Sequence, residues 1–251
     1  MTIPLPSSSP DQAVWQAFDH AADSYDRASH LQHLSAEALY RQMQAEMGKG
    51  GDQLWVDVGC GTGGMAKLLA AGGCSVIAVD QSPAMLAHVR ESGSIQTVQA
   101  DMRHLPFADG TVDGLVSHFA LHWLEPQTVL PELCRVVKPS GMLWLALPVA
   151  GSLAAVIARY PELPVFDFAP AKLWQEALAD LSVEIVRTTS QLWSQTYPNL
   201  RELLHSLKLM GGHRLGRMQQ PVSPAQFRTW LRDERPIALE YQVLYVQLRV
   251  R

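Results

Sequence analysis

The apolar positions change period along the chain. Between residues 11 and 47, Trp15, Phe18, Ala22 and Tyr25, then Leu31, Leu34, Ala38 and Leu39, recur at steps of three and four, which predicts two amphipathic helices. From 53 to 149 short β-branched runs alternate with helical stretches. The runs predict strands over Leu54–Val58, Ser75–Val79, Ile95–Gln99, Val112–Ser117 and Met142–Val149, with helices over 64–71, 83–91 and 127–137. Such alternation predicts an α/β, Rossmann-like fold: a doubly wound, mostly parallel sheet with helices on both faces.

Past Gly151 the pattern is mixed. Pro-rich text (YPELPVFDFAP) precedes a short helix near 172–180, a strand-like run Val183–Trp193 and a helix near 199–210. A Gly/Arg loop (GGHRLGR), a helix over 224–232 and an alternating strand Tyr241–Val250 follow. Strand–helix–strand after a parallel sheet predicts two closing strands, seven in all, around an inserted helical element. The chain thus divides into 1–50, a core over 51–150 and a closing part over 151–251, within a single domain. Residues 1–10, Pro/Ser-rich, predict a tail, and GKGGD (48–52) a loop.

Composition narrows the class. Of 251 residues, 47% are hydrophobic and 18% charged, as in soluble globular chains. No run approaches the roughly 18 apolar residues of a membrane span, and MTIPLPSSSPDQ lacks the basic and apolar regions of a signal peptide. A cytoplasmic monomer is the expectation. Cys60, Cys74 and Cys134 lack metal-ligand spacing, so neither a disulfide framework nor a metal site is expected. A net charge of −4 disfavours nucleic acid. The charge is uneven: residues 1–150 hold 8 basic against 15 acidic residues, residues 151–251 hold 12 against 9, so the C-terminal part suits an acidic partner.

VDVGCGTGG falls where the first strand meets the first helix, the end of a doubly wound sheet that binds a cofactor. Gly59 and Gly61 let backbone approach a ligand, yet Gly59, Gly61 and Gly64 also satisfy the dinucleotide pattern GxGxxG. Asp80, with Gln81, ends the second strand, placed for two ribose hydroxyls, and this too fits either cofactor. The third strand decides between them: in QADMRHLPF, Asp101 meets the amino edge of an adenine and Met102 its ring face. With Asp57 before the glycines, these residues define an S-adenosyl-L-methionine pocket. Ser117 and His118 end the fourth strand facing it. His118 and His122 stand four apart with no Glu between them, so they do not make an HExxH metal site.

The sequence resembles the malonyl-[acyl-carrier protein] O-methyltransferase family of biotin synthesis. VDVGCGTGGMAKLL, VIAVDQSPAML, QADMRHLPFADGTVDGLVSHFALHW and ELCRVVKPSGML are shared with many class I methyltransferases. More specific are Phe18, Ala21, Ala22, Tyr25, Leu31, Gln32, Ala36 and Leu39, similar to that family's opening helices, and PVAGSL (148–153) and LRELLHSLKLMGG (200–212), similar to its sheet exit and inserted helix. The loop HRLGRMQQP after Gly212 departs from the family's text.

The resemblance implies methylation of the free carboxylate of a malonyl thioester on acyl carrier protein, or on CoA. The ester hides a charge that chain-elongation enzymes reject, so that a pimeloyl chain can be built. Such a carboxylate is already ionised at pH 7, so no general base is required. Tyr25 is then expected on a lid formed by the opening helices, positioning the reactants with His118. Trp123 and Phe168 wall the acyl channel, and Lys208 or Arg214 grips the malonyl carboxylate or the phosphopantetheine phosphate. Arg201, Arg217, Arg228 and Arg232 face the carrier. Three alternatives remain: a methyltransferase for a free small acid or quinone precursor, a nicotinamide-dependent oxidoreductase, and a non-catalytic module.

Overall fold

The computed structural model describes residues 10–47, 53–212 and 222–251. The opening tail, the GKGGD loop, and Arg214 and Arg217 with most of their loop lie outside them. Seven strands form one sheet: β1 (Leu54–Val58), β2 (Ser75–Asp80), β3 (Gln96–Gln99), β4 (Val112–His118), β5 (Val137–Val149), β6 (Val183–Tyr197) and β7 (Ile237–Val250), in the order β3-β2-β1-β4-β5-β7-β6. β1 to β5 run parallel, β7 is antiparallel to β5, and β6 is antiparallel to β7. The order reverses between β1 and β4, the switch point at which such sheets bind ligands beyond their carboxyl ends.

The parallel strands are apolar almost throughout because both faces are covered. Side chains alternate across the pleat. Trp55, Val76, Ala78, Val116 and Trp144 point into one core with helices α2 (His30–Gln44), α3 (Gly64–Ala71) and α4 (Pro83–Arg90). Val56, Val58, Val79 and Leu115 point into the other, with α5 (Pro126–Val136) and α7 (Ala171–Ala179). Helix α1 (Pro10–Ala28) packs on α4 and on α8 (Leu200–Leu209). Ser82 starts α4 by accepting from the Met85 amide at 3.1 Å, with Pro83 next, and Asn199 starts α8 by accepting from the Glu202 amide at 3.0 Å.

Three differences from the expected elements have local causes. β5 begins at Val137 rather than 142, because Val137 already pairs with Val112. The KPSG turn becomes an irregularity inside the strand, with Ser140 at φ 67° and a Cβ at Gly141 lying 2.8 Å from the Asp113 carbonyl oxygen. β6 and β7 pair from Val183–Val250 out to Tyr197–Ile237, so each is longer than its own alternation indicates. Helix α6 (Ala154–Arg159) stands where no element was predicted, and α9 (Pro224–Trp230) follows the loop after α8.

Candidate functional site

A cavity opens at the carboxyl ends of β1, β2 and β4, under α1. Seven of the expected cofactor residues line it: Asp57, Gly59, Gly61, Asp80, Gln81, Asp101 and Met102. Gly59 has φ +71°, and a Cβ there would lie 2.2 Å from the Ala120 Cβ and 3.3 Å from the Met102 Cε, so only glycine closes this turn. Ser117 is the exception. It is fully buried and its hydroxyl donates to the Val58 carbonyl at 2.8 Å, which ties β4 to β1 and leaves the side chain outside the cavity lining.

Three carboxyl groups, those of Asp57, Asp80 and Asp101, line the cavity, with Arg103 beside Asp101. Asp57 accepts from the Ala66 amide at 2.9 Å; burial pushes its carboxyl up to about 7, the negative Asp80 adds to this, and the amide opposes it. Burial also raises Asp80, and Asp19 adds to this, against the amides of Ser82, Gly61 and Gln81. Its two oxygens accept from Gly61 and Ser82, both at 2.9 Å. A ligand carrying positive charge relieves this crowding; a pyrophosphate aggravates it. The amides of Gly61 and Ala66, which a dinucleotide phosphate would seek, already serve the protein's own carboxylates. Carboxyls held above their usual range favour a positively charged sulfonium or ammonium group over a pyrophosphate. Burial would raise Asp101 as well, but hydrogen bonds and charge from Arg103, 2.6 Å away, bring it below the usual range.

Asp57 has a consequence for stability. Folded, its carboxyl stays protonated to about pH 7; unfolded, it ionises near 4. Between these values the unfolded chain binds fewer protons, so stability falls as pH rises. Asp57→Asn is expected to raise the cofactor-free thermal midpoint over the wild type by more at pH 8 than at pH 5. A scanning calorimetric series showing an equal shift at both would refute this.

Helix α1 is fastened over the cavity. Asp19 accepts from the Ser82 hydroxyl at 2.6 Å and the Ala84 amide at 3.0 Å, Asp26 accepts from the Thr62 hydroxyl at 2.6 Å, and Ser24 donates to the Leu209 carbonyl at 2.7 Å. Nothing in the spacing of Asp19 and Asp26 announces partners more than 35 residues away. Tyr25, on the same helix, lines the cavity, and burial raises its hydroxyl, with Asp26 and Asp80 adding.

A second cavity adjoins the first. Phe18, Tyr25, Gln32, Phe119 and Trp123 line both, and Phe166, Phe168, Tyr241, Leu207, Met210 and His122 are among the residues that line only the second. Trp123 and Phe168 are thus brought to one place. His118 lines the first cavity; its Nε2 lies 3.1 Å from the Ser35 Oγ, which is 2.7 Å from the Tyr245 hydroxyl, itself accepting from Trp193 at 2.8 Å. Burial, with His33 adding, pushes His118 down to about 3, so it is neutral. Lys208 is exposed on α8 and lines neither cavity, which removes it as the residue gripping a buried carboxylate. Arg201, Arg228 and Arg232 are also exposed, and Arg201 donates to the Leu231 carbonyl at 2.9 Å, joining α8 to the end of α9.

The strand order, glycine turn and acidic cavity together define a class I S-adenosyl-L-methionine-dependent methyltransferase. Residues 56–145 match the family described as Methyltransferase domain. A putative methyltransferase from Bacillus halodurans C-125 superposes with a TM-score of 0.60 at 18% identity, over 84% of this chain and 97% of that one. A geranyl diphosphate methyltransferase in complex with S-adenosyl-L-methionine does so with a TM-score of 0.55 at 19% identity, over 87% and 85%. In sequence, the malonyl-[acyl-carrier protein] O-methyltransferase of Erwinia pyrifoliae is 33% identical over 253 residues, 96% of this chain and 94% of its own. The chain belongs to the malonyl-[acyl-carrier protein] O-methyltransferase family.

Proposed function

We propose that the chain methylates the free carboxylate of a malonyl group held as a thioester on acyl carrier protein, the opening step toward the pimeloyl chain of biotin. The observation that carries this reading is the aromatic second cavity joined to the acidic first one across Tyr25, Gln32 and Trp123. Asp57, Asp80, Gln81, Asp101 and Met102 would hold S-adenosyl-L-methionine, which supplies an electrophilic methyl on a positive sulfur. The acceptor carboxylate is an anion at neutral pH and needs no base. What the protein contributes is alignment and exclusion of water, worth up to about 7 to 11 kcal/mol in favourable cases. Tyr25 and the neutral His118 position the reactants, while Trp123 and Phe168 wall the acyl group.

The carrier protein docks on α8 and α9. Leu207 of α8 and Met210 just after it face the second cavity, while Arg201, Lys208, Arg228 and Arg232 on these segments are exposed, so a thioester arm reaches inward beside a basic surface that attracts an acidic carrier. The triple variant Arg201→Glu, Arg228→Glu, Arg232→Glu is expected to raise KM for malonyl-acyl carrier protein about tenfold or more and leave that for malonyl-CoA within twofold. Equal effects on both acceptors would remove the docking surface. A free small acid as the natural acceptor would instead show indifference to the carrier.

A further inference from the structure

His122 stands on the turn Leu121–Trp123 that follows β4. Its ring packs against Trp123 at 4.7 Å between centroids, Phe168 at 5.5 Å, Phe166 at 5.8 Å and Phe119 at 6.5 Å. Four buried side-chain polar atoms have no hydrogen-bond partner among the described residues, on His122, Trp174, Gln195 and Gln247. Only His122, through its Nδ1, belongs to a residue lining either of the two cavities. Native proteins seldom leave such an atom unserved, and a residue kept only to fill an aromatic cage has no need of nitrogen.

We infer that His122 determines acceptor specificity: its imidazole donates a hydrogen bond to the thioester carbonyl of the malonyl group, and the cage around it turns away a second carboxylate. This rests on the function proposed above. The residues common to both cavities mark the junction where methyl transfer occurs, and His122 lies beyond them, on the second cavity alone. A malonyl carboxylate at the junction places its thioester carbonyl two carbon–carbon bonds further on, toward His122. Burial, with His118 adding, pushes the imidazole down to about 3, so the ring is neutral at working pH and matches a neutral carbonyl. The described residues that line the second cavity are aromatic, aliphatic or neutral polar, surroundings that favour a neutral carbonyl over a second carboxylate. A thioester presents no such charge, and the site prefers it over free malonate.

The test compares methyl transfer to malonyl-acyl carrier protein and to free malonate by the wild type, His122→Phe and His122→Gln, with S-adenosyl-L-methionine affinity measured by calorimetry. His122→Phe preserves the aromatic packing and removes the donor. It is expected to lower kcat/KM for the thioester about tenfold or more, chiefly through KM, with unchanged cofactor affinity and an unchanged rate with malonate. His122→Gln, which keeps an N–H, is expected to restore most of the loss. A carrier whose phosphopantetheine sulfur bears a 2-carboxyethyl group as a thioether, with CH2 replacing the carbonyl, should be used equally by wild type and His122→Phe. A thioester kcat/KM within twofold of wild type in His122→Phe overturns the inference alone, as does a uniform loss with both acceptors in both variants. Failure of the wild type to methylate the thioester overturns the proposed function and this inference with it.

Discussion

Replacing Asp80 with alanine is expected to raise the Kd for S-adenosyl-L-methionine at least a hundredfold. The carboxylate ends β2 with both oxygens engaged, one by the Gly61 amide and one by the Ser82 amide, each at 2.9 Å. It therefore does two things at once: it shapes the glycine turn and presents negative charge to the cavity. The two ribose hydroxyls expected on this carboxylate would donate hydrogen bonds to a charged group, worth about 1.5 to 3 kcal/mol each, so losing both amounts to roughly two to four powers of ten. Calorimetric titration, with circular dichroism as a control for folding, measures this. A variant that folds and binds within tenfold of wild type would show that Asp80 is not a cofactor ligand.

The second large effect is expected at Gly59. Valine there must adopt φ +71°, a region that costs a β-branched residue about 1 to 3 kcal/mol, and its Cβ would sit 2.2 Å from the Ala120 Cβ. The turn and the segment after β4 cannot both keep their places. Gly59→Val is expected to lower the urea midpoint clearly and to abolish detectable cofactor binding, with Gly59→Ala a milder case of both. Wild-type stability and binding in the valine variant would contradict the described closure of the site.

These expectations rest on residues whose positions were legible in the sequence for a physical reason. β1 and α3 were read to their observed ends because a buried parallel strand is a continuous apolar run, and VGCG interrupts it with residues suited to a sharp turn. Asp80, Asp101 and Met102 were legible because each ends its strand or follows directly after it, and strand ends converge at the switch point. Ser117, also at a strand end, is buried against β1 instead. Residues on a strand alternate between faces, so adjacency to His118 told nothing about which of the two would reach the cavity. Lys208, expected to grip the malonyl carboxylate or the phosphopantetheine phosphate, is exposed, because its charge says nothing of which side of the helix it takes; its neighbours Leu207 and Met210 face inward and it does not.

Less legible were features made by contacts distant in sequence. Asp19 and Asp26, which fasten α1 to Ser82 and Thr62, look like ordinary solvated acids on an amphipathic helix. The chain from His118 through Ser35 and Tyr245 to Trp193 joins four elements and has no local signature. His122 was visible as half of a histidine pair, yet only the packing of Phe166 and Phe168 around it, brought back from the Pro-rich segment, shows a neutral ring in an apolar cavity. The opposed charges of the two parts of the chain were legible and agree with what is exposed on α8 and α9.

The most direct test of the account is a mass-spectrometric assay of the purified protein with S-adenosyl-L-methionine and, in parallel, malonyl-acyl carrier protein, malonyl-CoA and free malonate. The account predicts a single methyl added to the carrier-bound malonyl group, faster than to malonyl-CoA and much faster than to malonate. Methylation of none of the three, in a sample shown to bind the cofactor, would contradict the assignment of the acceptor while leaving the fold and the cofactor site standing.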